Sequence, residues 1–404
     1  MGQLSENFTA YCFILYGFLL DETGFCKGKQ AMHVLIIGGG IIGLSLGRAL
    51  LKAQVEVTIL ERSRAGRATS WAAAGMLAPS AELWFEEEDL YYFGKEALAR
   101  WPAFAQALEE ETGLSVDYRT EGTLVVADDR DSAEALQRVY RYQQELAVNV
   151  QWLEPEEALE VEPFLSHRIV GAVFSPEDHQ VDNRRVVEAL RLSFIQAGGT
   201  LLEDTPVREV RSLVPFPEVI TESGERYRGD WVVIAAGVWS THLEGIPPEY
   251  RVPLRPVKGQ MLQLRQEAPF SLTHVVRGPR AYLAPKSDGR LLIGATTEEM
   301  GFDIRVTAGG LFALLEGSWE IVPGIYELPF DEAWAGLRPA TRDHKPAVGA
   351  SGLPGIVYAT GHYRHGILHA PYTAELLTQY LLTEETSPWL ERFSPCRFHS
   401  SEEA

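Results

Sequence analysis

Residues 335–341 read Ala-Gly-Leu-Arg-Pro-Ala-Thr. An arginine set between apolar residues and directly before proline is costly to bury without an anion. The carboxylate of a small ligand would suit Arg338, because a planar guanidinium holds a carboxylate through two parallel hydrogen bonds. A structural ion pair, with Asp343 close by in the chain, is the competing account. A second group of able residues, His362, Tyr363, Arg364 and His365, lies in a glycine-flanked turn. The turn joins a strand-like run (355–360) to the start of a helix at Gly366, Ile367 and Leu368. Free N–H groups and the positive end of a helix dipole converge there. Such a place stabilises negative charge as it develops. Arg364 adds a cation to it, the alternative being a solvated turn residue. His362, His365 and His369 lack the carboxylate or cysteine companions of a zinc site, so no metal is expected. Tyr282 lies just before the hairpin signal Asp288-Gly289. An isolated tyrosine there is equally a ligand contact or a cross-strand aromatic.

The elements that position these residues begin with a β-branched run, Val34-Leu35-Ile36-Ile37, of the kind a buried parallel strand uses. Gly38-Gly39-Gly40-Ile41-Ile42-Gly43 follows at once and matches G-x-G-x-x-G. Leu44, Leu46, Leu50 and Leu51 then mark an apolar helical face, and a second strand, 55–60, ends at Glu61. Gly38 permits the tight turn, Gly40 lets the backbone approach a pyrophosphate, and Gly43 lets the helix pack on the strand. The helix N-terminus then faces the phosphates, and Glu61 is placed to accept from a ribose hydroxyl. Beyond a polar stretch with Arg62, Arg64 and Arg67 comes a run of small residues through Thr69, Ser70, Ala74, Gly75 and Met76. Small residues let backbone lie against a flat ring and offer N–H groups to its polar edge. A small-residue helix start is the bland alternative. The chain has no second G-x-G-x-x-G, so a flavin reduced directly by its substrate fits better than one reduced by a nicotinamide.

The motifs at 38–43, Glu61-Arg62 and 70–76 resemble the FAD-dependent D-amino-acid oxidase and sarcosine oxidase group, and within it the glycine oxidases of thiamine thiazole synthesis. The resemblance implies an α/β fold over about residues 32–384: a Rossmann-type FAD-binding domain interleaved with a β-rich α+β substrate domain. It implies substrate binding by Arg338, Tyr282 and Arg364. It adds Val207, Ala236, Gly237 and residues 362–368 to the cofactor contacts. It implies oxidative deamination of glycine, sarcosine and small D-amino acids, with dioxygen as acceptor and hydrogen peroxide as product. A homo-oligomer such as a tetramer, and a hand-off to thiazole synthase, follow from the same likeness. Two positions depart from the group. Arg280 stands where related glycine oxidases carry a neutral residue or His, and Thr297 where at least one carries Met. No His or Cys stands in 70–76, so the FAD is expected to be non-covalent.

Coarser features frame this reading. The periodicity predicts helices over 82–112 and 132–146, a strand over 120–127, and a helix capped by Asp182. The expected division gives 32–112, 178–246 and 333–384 to the FAD-binding domain and 113–177 and 247–332 to the substrate domain. A net charge of −20 repels phosphate backbones, so no nucleic-acid partner is expected. Three cysteines, none between residues 27 and 395, suit a reducing cytosol. Residues 1–31 read as a disordered extension. The apolar run 11–20 is too short to span a bilayer, so no stable membrane insertion is expected. That run is nonetheless the one specific support for a quinone-linked D-amino-acid dehydrogenase. A non-catalytic flavin-binding protein is the third reading, against which Arg338 speaks. The tail, 385–404, is expected to fray.

Overall fold

The computed structural model describes residues 32–399. The expectations for residues 1–31 lie outside them. The strand His33–Ile37 is central to a six-stranded sheet. Glu56–Leu60 and Trp231–Ile234 flank it in parallel, with Thr200–Leu202 and Ile356–Thr360 outside them. Ala347–Ala350 closes the sheet as an antiparallel edge. Val34, Leu35 and Ile36 are fully buried, which explains why this strand is apolar on both faces. Helices Ile41–Lys52, Glu88–Thr112, Asn183–Gln196 and Gly366–Thr383 share one hydrophobic core on one face. A three-stranded antiparallel sheet, 207–228, lies over the other.

The second layer is an eight-stranded sheet. Its order is Phe330–Ala340, Arg255–Arg265, Arg290–Gly294, Tyr282–Pro285, Val275–Arg277, Thr123–Ala127, Gly171–Ser175, Gln151–Leu153. Only the Val275–Arg277 and Thr123–Ala127 pair is parallel. The helix Ala308–Ile321 packs on this sheet.

Local chemistry explains several boundaries. Asp182 caps its helix, accepting from the Arg184 and Arg185 N–H groups. Asp288-Gly289 turns a hairpin, with Gly289 at φ +85°. The helix expected from residue 82 starts only at Glu88, because Glu86 sits at φ +65° and Glu82 is drawn elsewhere. The strand Phe330–Ala340 carries the expected boundary at 332/333 in its middle, since the whole of it pairs with Arg255–Arg265. The tail expectation is corrected for residues 385–399. Pro388–Arg392 and Pro395–Phe398 are helical, and Leu390 and Phe393 are buried in the main core, with Phe393 edge-on to Phe93.

Candidate active site

One cavity of about 530 Å³ lies between the two sheets. At one end it is built from backbone. Gly38 has φ +107°, and a Cβ there would stand 2.6 Å from the Ala235 carbonyl oxygen. A Cβ on Gly43 would stand 2.0 Å from the Gly38 carbonyl oxygen. Gly43 therefore does not line the cavity; it lets the helix start close on the turn. Gly40 does line it, with only Ser70 Oγ near a Cβ, at 3.4 Å. Ser70 Oγ accepts from the Ile41 N–H at 3.0 Å. Glu61 accepts from the Gly39 N–H at 2.7 Å and from the Ser63 N–H at 3.1 Å. The Arg62 guanidinium lies 3.5 Å over the Trp239 ring. Ile42, Val207, Ala236 and Gly237 complete this end.

Thr69, Ser70, Ala74, Gly75 and Met76 line the middle. Behind them Lys286 is buried, and its Nζ donates to the carbonyls of Ala74 and Val181 at 2.8 Å and to Gln180 Oε1 at 3.1 Å. Burial pulls its pKa down to about 8. Gly75, at φ +79°, brings the chain so close that a Cβ would meet the Val181 oxygen at 2.1 Å.

The other end is built from charged side chains. Arg338 donates to the Thr296 carbonyl at 3.1 Å, and its guanidinium lies across Gly259, where a Cβ would stand 2.5 Å from Nη2. Among the described residues no carboxylate lies within 4.0 Å of it, and Asp343 is engaged instead by Arg397 at 2.8 Å. Tyr282 lines the cavity with its hydroxyl 3.2 Å from Met261 Sδ. Burial, with Arg338 and Glu82 acting in opposite directions, pushes its pKa up to about 12. Arg364 also lines the cavity but is ion-paired with Glu87. Arg280 is also at the cavity wall, with its guanidinium ion-paired to Asp128, Glu316 and Glu320. Thr297 is at the wall.

The helix start behaves unevenly. His362, Tyr363, Gly366 and Ile367 reach the cavity. His365 does not: its Nδ1 faces Glu82 Oε2 at 3.3 Å and its ring stacks on His369. Leu368 does not either, because the helical turn carries it into the core, where its carbonyl accepts from Trp101 Nε1 at 2.9 Å. Burial drives His362 down to about 3 and His369 well below its ordinary value, so both are neutral.

Residues 33–380 match the family described as DAO, FAD-dependent oxidoreductase. The chain belongs to this family. DAO-family relatives include a glycine oxidase of Geobacillus kaustophilus, 36% identical over 366 residues, spanning 90% of this chain and 96% of that protein. A bifunctional ThiO/ThiG protein of Synechocystis sp. is 35% identical over 92% of this chain, which covers 54% of that protein. The crystal structure of glycine oxidase from Geobacillus kaustophilus superposes with a TM-score of 0.85, at 34% identity, over 93% of this chain and all of that one.

The residues present fit FAD. Gly38 and Gly43 let strand, turn and helix start pack closely, Gly40 leaves bare backbone at the cavity wall where a pyrophosphate would approach, and Glu61 sits beside the glycine loop at the distance of one hydrogen bond. Sequence reasoning missed Glu82, Arg277, Asp178, Gly259, Met261 and Lys286. Arg277 Nη1 donates to Glu82 Oε1, joining the eight-stranded sheet to the loop before the long helix. Burial alone would raise the Glu82 pKa; Arg277 and His365 hold it well below the usual carboxylate range. Asp178 accepts from the Ser80 N–H at 3.0 Å and the Ala81 N–H at 2.9 Å. Burial, reinforced by nearby Glu82, pushes Asp178 up to about 7.

Proposed function

We propose that this flavoenzyme oxidises glycine, and with it sarcosine and small D-amino acids, to the imine, which hydrolyses to the oxo acid and ammonia, or methylamine in the case of sarcosine. The observation that carries this reading is Arg338: a guanidinium at the cavity wall, without a carboxylate partner among the described residues, on a strand that faces the FAD-binding half. A free amino-acid carboxylate completes it by a two-pronged grip. The glycine oxidases among the relatives support the same substrate. Bound FAD supplies a hydride acceptor and, through its reoxidation by dioxygen, yields hydrogen peroxide.

The chain's own residues position and polarise. Arg338 fixes the carboxylate, and Tyr282, whose phenol stays protonated, orients it from another strand of the same sheet. Arg364 acts through the field at the helix start, its guanidinium being held by Glu87. No residue is needed to abstract the Cα hydrogen if it leaves as hydride. In this reading the unit around the six-stranded sheet holds FAD non-covalently and the eight-stranded sheet presents the substrate. The ThiO/ThiG relative supports a hand-off of product to thiazole synthesis; a cytosolic location and a homo-oligomer are proposed alongside it. Among the described residues no helix is long and apolar enough to cross a membrane; the apolar run 11–20, which supports the quinone-linked alternative, lies outside them.

A panel of small amines, scored by stoichiometric peroxide release from the purified yellow protein, tests the reading; glycine is expected among the best. Arg338→Ala should keep its FAD and lose about 10³-fold in kcat/KM for glycine, the cost of about 4 kcal/mol for an unpaired ligand charge. Unchanged glycine kinetics would remove Arg338 from the mechanism.

A further inference from the structure

Three acidic side chains line the cavity: Glu61, Glu82 and Glu222. Glu61 belongs to the glycine loop, where it accepts from Gly39. Glu222 belongs to the Val207 side, where its N–H donates to the Pro206 carbonyl. Glu82 alone stands at the charged end, among Arg277, Tyr282, Arg338 and Arg364. We propose that Glu82 seats the amine pole of the substrate while Arg338 holds its carboxylate. This rests on the amino-acid oxidase reading above and deepens it, by naming the group that tells an amino acid from a plain carboxylic acid.

The backbone that carries Glu82 is fixed on every side. Asp178 takes the N–H groups of Ser80 and Ala81, and Gln143 donates to the Ser80 carbonyl at 2.9 Å. Glu82 itself is nearly buried, yet it contributes to the cavity wall. One carboxylate oxygen takes a hydrogen bond from Arg277 and the other faces His365 at 3.3 Å. A carboxylate offers about four lone-pair sites. Two are engaged, so the anion retains acceptor capacity toward the cavity. Arg338 and Glu82 line the same end of the cavity and both act on the Tyr282 hydroxyl, so the unpaired cation and this anion lie near one phenol. That is the charge pattern of a small zwitterion, read in reverse. Arg277 offsets part of the Glu82 charge, so the contact does not trap the ammonium form. The neutral amine of glycine, the form whose Cα gives up hydride, still has two N–H groups to donate, so the same contact survives loss of the proton.

The test compares glycine with acetate, which has the carboxylate and lacks the amine. Anaerobic rapid-mixing of the FAD-bound protein with glycine gives a Kd from the saturation of flavin reduction; acetate gives a Ki as a competitor. Glu82→Gln should weaken glycine at least tenfold and leave acetate within twofold. Arg338→Ala should weaken both. If Glu82→Gln changes both ligands alike, its role is structural and the proposal is overturned, while the Arg338 reading stands. If Arg338→Ala moves neither ligand, or wild-type flavin is not reduced by glycine, the parent reading fails instead. Should Glu82→Gln not bind FAD, Arg277→Gln decides. It frees the carboxylate, so glycine should tighten at least threefold relative to acetate; no relative gain overturns the proposal.

Discussion

The two ends of the cavity meet the same ligand assembly by opposite means. The FAD end is made of absent side chains: Gly38 and Gly43 hold backbone so close that one added carbon would stand 2.6 Å or 2.0 Å from a carbonyl oxygen. The substrate end is made of present ones, with Glu82, Arg277, Tyr282, Arg338 and Arg364 arriving from a loop, three strands and a helix start. The first kind of site is damaged by adding an atom. The second is damaged by removing a charge, because the partner left behind is a buried, uncompensated ion. A cofactor common to many chemistries is thus held by shape, and the particular substrate by a local pattern of charge.

That contrast can be broken most decisively at Gly38. Gly38→Ala combines a clash with a left-handed backbone, worth together about 3 kcal/mol, or about 100-fold in FAD affinity. Colourless protein with a far weaker FAD titration is the expected outcome; a yellow variant of ordinary affinity would show that close approach is not what builds this end. Lys286→Met tests the joint between the ends. It strands three buried acceptors, so the thermal midpoint should fall by an amount equivalent to about 2–3 kcal/mol, with looser FAD. An unchanged midpoint would mean the Ala74–Gly75 backbone holds itself.

The smallest effect sharpens the picture at Asp178, which pins the loop bearing Glu82. Its folded pKa, about 7, lies above the ordinary 3.8. Between those values the native state keeps a proton that the unfolded chain has released, so stability is fully present below the lower value and declines as pH rises toward the upper one. From pH 5 to 7 the decline should be about 2 kcal/mol. Asp178→Asn has no such proton, so its denaturation midpoint should lose that slope. Parallel pH profiles for the two proteins would contradict the assignment.

What the sequence disclosed and what it hid follow the same division. The glycine loop, Glu61, the Asp182 cap and the Asp288-Gly289 hairpin each carry their reason within a few neighbouring residues, and Arg338 was conspicuous by its apolar flanks. Glu82 was read as the acidic start of a helix, because nothing nearby shows that Arg277, 195 positions away, would claim it. Arg364 was expected to offer a free cation, and its partner Glu87 is 277 positions away. Nothing near Lys286 in the chain announces its role, because its acceptors are mostly backbone oxygens, which no residue type reports. Leu368 was misplaced for a geometric reason, since a helix that points its first turn at a cavity turns the next residue from it.

The central strand has a consequence for how the molecule comes into being. The His33 N–H donates to the carboxylate of Asp230, 197 positions further on, and the outer neighbour, Ile356–Thr360, is made later still. A ribosome therefore extrudes the glycine loop long before the walls that shape it exist. Cofactor capture has to wait until the helix Gly366–Thr383 has been made, and a chain cut short before that helix should never turn yellow.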